Sequence, residues 1–181
     1  MTGTELIKDI EALGFDSSIE SYERLYSVIT ISAKILSSEF PSLSYYSVRI
    51  PEGTEKITVN LSDIDDAYIF SRNPVTKDGV QYGSYSYDNF GLTVYGNEGD
   101  CFLIRYIKKV IPLSAKTTDE EIAVDPRATH LLPLLCSAYL WQEDEQDKAY
   151  LYLSEYKNEY AKLKMQGERS FGNSYKSSNN W

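Results

Sequence analysis

Apolar residues in 1–40 recur every three to four places, the period of an amphipathic helix. Leu6, Ile10 and Leu13 share one face of a helix predicted from about Thr4 to Leu13, and Gly14 is a natural stop. Phe15-Asp16-Ser17-Ser18 supplies N-cap candidates for a second helix, from about Ile19 to Glu39. Leu25, Val28, Ile29, Ser32, Ile35 and Leu36 form its stripe, and Pro41 ends it. Ile31 lies off that stripe, which predicts a second buried side. Long helices of that kind often pack between neighbours, including other subunits.

From 44 to 113 the period falls to two. Ile57, Val59 and Leu61 alternate within Lys56–Leu61, and Ala67–Phe70 is a second short strand. Asn73-Pro-Val-Thr-Lys-Asp-Gly79 has turn chemistry, opened by Asn-Pro and closed by Asp-Gly. Val80–Tyr87 and Gly91–Tyr95 are Tyr-, Gly- and Ser-rich strands or loops, and Asn97–Asp100 is another turn. Cys101–Ile111 is the strongest strand: Phe102, Ile104 and Tyr106 face one way, Leu103, Arg105 and Ile107 the other, and Pro112 closes it. About five strands in this span imply a small antiparallel sheet or sandwich.

Residues 114–124 are an acidic link through Asp119, Glu120 and Glu121. Asp125-Pro126 reads as an N-cap followed by Pro at the first helical position. The third helix is predicted to run to about Gln142, with Leu131, Leu134, Leu135, Ala138 and Trp141 on its buried side and a kink at Pro133. Glu143–Asp147 is a polar turn leading into a fourth helix, from about Asp147 to Met165. Its helical spacing places Leu131 and Leu135 against Tyr152 and Tyr156. Gly167 ends that helix, and the polar tail beyond cannot form a core alone. The tail nevertheless carries Phe171, Tyr175 and Trp181, with Arg169 and Lys176 making it locally basic. Aromatics on such an arm suggest a segment that orders on a partner. The expected fold is therefore α+β and mainly α. It is a bundle of about four helices with a small antiparallel sheet or sandwich inserted between the second and third. Residues 1–165 make a single domain, and 166–181 form an extended C-terminal arm.

Charge narrows the function. Asp and Glu number 27 against 18 Lys and Arg, for a net charge of −9. A grip on nucleic acid needs clustered cations, so this balance argues against DNA binding and allows only a passive, repelling surface toward DNA. No stretch is apolar enough for a membrane helix, and Met1–Glu5 does not open a secretory leader. Cys101 and Cys136 lie among apolar neighbours without metal-ligand spacing, which predicts two buried free thiols and a reducing cytoplasm as the place of synthesis. The 16 Tyr against 6 Phe suit partly wet interfaces, and Tyr-rich faces also bind sugars.

Candidate chemistry is sparse. His130 is the single histidine; it would need a nucleophile or carboxylate brought to it to act as a base, and alone it leaves little room for zinc. Asp63-Ile-Asp65-Asp66 has the oxygen-rich start of a calcium loop without the Gly and the distant Glu. Glu143-Asp144-Glu145 reads as a solvated loop, and Asn60-Leu61-Ser62 as a chance glycosylation sequon. No phosphate-cradling or nucleophile-elbow motif occurs. The expectation is a non-enzymatic assembly protein without metal or cofactor.

The order of these pieces resembles the head–tail adaptor (connector) proteins of tailed bacteriophages. Three passages carry the resemblance: the helix pair ending in Ser38-Glu39-Phe40-Pro41; the strand Phe102–Lys109 running into Val110-Ile-Pro112-Leu113; and Ala128–Lys164. In the last, Ala128-Thr-His-Leu131-Leu132-Pro133-Leu134 is similar to the family's Leu-Leu-Pro helix. Ala138-Tyr-Leu-Trp-Gln-Glu-Asp144 is similar to its helix end, and Ala149–Tyr160 to its closing helix with paired aromatics. The Tyr-rich stretch 82–95 lies outside the pattern. The resemblance implies a ring, commonly dodecameric, in the virion neck beneath the portal, with DNA passing through its lumen unread. It implies the portal protein and the next neck or tail-completion protein as partners, with Arg169, Phe171, Tyr175, Lys176 and Trp181 as the candidate portal-docking set. It implies no catalytic residue. The alternative from another class is a sugar- or receptor-binding β-module of a virion or cell surface, resting on Tyr82–Tyr95; a hydrolase using acidic pairs is a third reading.

Overall fold

The computed structural model describes residues 1–16, 22–87 and 91–175, with side chains through 166. The chain divides into two compact units, Met1–Phe40 with Val110–Trp181, and Pro41–Lys109.

The first unit is helical: α1 (Gly3–Ala12), α2 (Tyr22–Glu39), α3 (Leu131–Leu140) and α4 (Gln146–Tyr175). Thr2 and Glu5 form a capping box that satisfies free N–H groups at the start of α1, and Gly14 follows its end at φ +90°. Leu6 and Ile10 of α1 join Leu25, Ile29 and Leu36 of α2 around α3, which is buried at eight of its ten positions. A helix apolar on nearly every side has to sit at the centre of its unit. Tyr156, Tyr160 and Leu163 of α4 close over that core.

Two helix expectations are corrected here. Residues 126–130 form turns, so α3 starts at Leu131 and Pro133 falls in its first turn. The N–H groups there have no intrahelical partner, so Pro costs no bond and need not kink the helix. At the other end, α4 continues to Tyr175. The backbone of 166–175 is thus helical rather than an extended arm, because Gly167 alone does not stop a helix already under way. The acidic link is also tied down: Thr4 donates its N–H to the Thr118 carbonyl at 2.9 Å, and Ile122 donates to the Met1 carbonyl at 3.0 Å.

The second unit contains β1 (Leu43–Arg49), β2 (Lys56–Val59), β3 (Ala67–Lys77), β4 (Val80–Gln81), β5 (Tyr85–Tyr87), β6 (Leu92–Tyr95) and β7 (Cys101–Lys108). They form two antiparallel sheets, ordered β1-β7-β3-β4 and β2-β6-β5. Val48, Val59, Val75, Leu92, Val94, Phe102 and Ile104 put side chains from both sheets into one separate core. The expected mainly-α bundle with a small sheet insert is therefore wrong. Among the described residues there are seven strands in two sheets, with a core of their own, as well as four helices. β1, absent from the sequence-based strands, pairs with β7 from Leu43↔Ile107 to Arg49↔Cys101. Asn73-Pro74 does not open a turn. It sits in an irregularity within β3, with Asn73 at φ +54°, and the chain reverses at Asp78-Gly79 (φ +50° and +78°). Asp-Gly is suited to that two-residue hairpin because both positions need positive φ. Leu61 leaves the strand for a 3-10 turn, Leu61–Asp63, in which Asp63 accepts the Asn60 N–H at 2.9 Å.

Candidate interaction site

The residues with potential for chemistry lie apart or in structural roles. His130 is exposed just before α3. Asp66 accepts the Tyr106 hydroxyl at 2.7 Å, and Asp63 caps its own turn, so the Asp63–Asp66 acids support the fold. Glu143 lies 3.4 Å from Arg24, and Glu145 3.0 Å from Lys148. Arg127 holds the Asp125 carboxyl below its usual range by side-chain hydrogen bonding, against a smaller opposing effect of burial. Among the described residues no group of three or more His, Cys, Asp or Glu is placed to hold a metal, and no helix is long and apolar enough to cross a membrane. Cys136 is buried, and desolvation pushes its thiol up to about 12. Cys101 is exposed, a correction to the expected buried pair: it opens β7 on the outward side of the alternation, opposite Phe102.

What each unit offers instead is uncovered apolar surface. In the helical unit Ile31 (52% exposed) and Ile35 lie one turn apart on α2, so Ile31 has no buried side of its own within the described chain. Tyr139 of α3 and Tyr150 of α4 flank a groove of about 250 Å³ floored by Ala138 and Ala149. In the strand unit, the outer face of the four-stranded sheet carries Leu43, Ile107 and Ile69 in one cross-strand row. The next row pairs Tyr45 (56% exposed) with Arg105, and Leu103 follows. Arg105 is fixed there, donating to the Ser71 hydroxyl at 2.9 Å and to the Arg72 carbonyl at 3.0 Å. Apolar side chains and Tyr around an anchored Arg are the composition of protein-binding patches.

The sequence-predicted packing set is distributed over two contacts. Leu131 and Leu135 are buried in the helical core, and Tyr156 packs against it. Tyr152 is half-buried and donates its hydroxyl to the Leu13 carbonyl at the end of α1, so it ties α4 to α1. Of the candidate docking set, Arg169, Phe171 and Tyr175 lie on the backbone of α4, with side chains outside the described residues. Lys176 and Trp181 lie outside the described residues altogether. The sheet-face patch escaped sequence reasoning because β1 did; its only signal was the alternation of Leu43, Tyr45 and Ser47 with half-buried partners. Compared with protein-family models and with curated proteins, the sequence matches none.

Proposed function

We propose that the protein is a structural component of a tailed-phage virion: a head–tail adaptor that binds the portal, assembles as a ring, extends the DNA channel and receives the next neck or tail-completion protein. The observation that carries this reading is the passage from Ala128 to Lys164. There Leu131-Leu132-Pro133 begins a helix buried at eight of its ten positions, and the aromatic pair Tyr156–Tyr160 (ring centroids 5.8 Å apart) of the following helix closes over it. The net charge of −9 supports it, since a conduit must not retain phosphates. Exposed Ile31 and Ile35, and the Leu43–Ile69–Tyr45 face, support contacts to other subunits.

The test is mixing purified protein with the portal of its own phage, followed by light scattering and negative-stain imaging. A ring seated on the portal is expected. Removing residues 168–181 should leave the melt unchanged and lower the helical circular-dichroism signal only by the share of residues 168–175, while abolishing attachment. A protein that stays monomeric beside its portal overturns the reading.

A further inference from the structure

At one end of the three-stranded sheet lies an open cleft of about 740 Å³, built wholly from the strand unit. Its walls are Glu55 and Lys56 at the start of β2, Tyr95 and Asn97 at the end of β6, and Tyr82 and Ser84 between β4 and β5. We propose that this cleft binds a neutral oligosaccharide. The proposal stands apart from the adaptor reading, because it uses a stretch that the resemblance does not cover.

Three properties argue for that ligand. The first is the mix of surfaces. Two tyrosines line one cleft together with Glu55, Lys56, Asn97 and Ser84. Pyranose rings need both: a C–H face to lie on an aromatic ring, and polar groups to exchange hydrogen bonds with the hydroxyls. The second is charge. Glu55 and Lys56 offset each other, and Glu98, which accepts the Gly53 N–H at 3.1 Å, adds a negative charge on the adjoining turn. The lining residues thus contribute one carboxylate and one ammonium, a balance that favours no ionic ligand, whereas a sugar hydroxyl can donate to the one and accept from the other.

The third is preorganisation. The Tyr82 ring rests on Phe102 with centroids 4.9 Å apart, and its hydroxyl donates to the Tyr95 carbonyl at 2.7 Å. Tyr95 N–H donates to the Ser84 carbonyl at 3.0 Å, and the Tyr95 and Ser86 hydroxyls share a 3.2 Å hydrogen bond. Gly96 N–H donates to the Glu55 carbonyl at 3.0 Å, joining the two outer walls. A wall already held by internal bonds loses little entropy when a ligand arrives, so weak contacts suffice for binding. Because the cleft is open, it suits an internal stretch of a glycan.

The experiment uses the full-length ¹⁵N-labelled protein titrated separately with maltotetraose, cellotetraose and chitotetraose, followed by amide chemical shifts. At least one sugar should move the amides of 54–56, 82–84 and 95–97 in a saturable way and leave the helical unit unmoved. Tyr95→Ala should weaken that binding by about tenfold or more, while Tyr95→Phe, which keeps the ring, should bind within about threefold of the parent. Asn97→Ala, on an exposed turn, should weaken binding severalfold and decides the matter if Tyr95→Ala unfolds. No saturable shift with any of the three sugars, or a shift indifferent to both Tyr95→Ala and Asn97→Ala, overturns the proposal.

Discussion

Gly96 shows how far one residue depends on its surroundings. A Cβ built there would lie 2.9 Å from Phe102 Cζ, 3.0 Å from Asp100 Oδ2 and 3.1 Å from Ile50 Cδ1. Phe102 and Ile50 are buried core side chains, and Asp100 is held by Lys77 at 2.7 Å, so none yields easily. Gly96→Ala should cost about 1–3 kcal/mol through overpacking, measured in denaturant melts. Gly79→Ala, with open space around it but φ +78°, should cost only about 1 kcal/mol of backbone strain. The two thiols make a second contrast. A disulfide-exchange reagent should titrate Cys101 alone in the folded protein and Cys136 only after unfolding, since the latter is buried and protonated. Equal reactivity of both in the native state would show that the α3 core opens.

At the scale of elements, α3 is the helix on which the helical unit depends. Leu135 is 3% exposed within it, so Leu135→Ala should destabilise the protein by about 2–5 kcal/mol, read from the denaturant midpoint. A loss below about 0.5 kcal/mol would mean that the surrounding helices do not close on it. The period-three-to-four stripes of α1 and α2, and the alternation of Phe102, Ile104 and Tyr106, were legible because each repeats over several turns or pleats. β1 was not, because its inward side is Ser44 and Tyr46 before Val48, polar-tipped residues that blur a period of two. The length of β3 was hidden for a different reason: Asn-Pro usually breaks a strand, but the irregularity at Asn73 absorbs it and pairing resumes at Val75↔Ile104.

For the whole molecule, the strand unit is an insertion whose ends meet: Lys108 donates its N–H to the Ser42 carbonyl at 2.9 Å. With adjacent ends, two sheets and a core of its own, residues 41–109 should fold when expressed alone, giving a cooperative melt and a dispersed amide spectrum. An unfolded fragment would show that its core needs the rest of the chain. Legible from residue order were the apolar faces of α1 and α2, their stops at Gly14 and Pro41, the acidic balance and the outline of the strongest strand. These depend on residues within a turn or two of each other, where sterics and periodicity act directly. Tertiary structure alone decided that Cys101 faces solvent, that Pro133 falls in a first turn, that Ile31 stays uncovered and that Tyr82 and Tyr95 share a cleft. Whether a face is covered depends on segments far apart in the chain, as where Arg105 arrives beside Tyr45, and local pattern carries no information about which distant segment arrives.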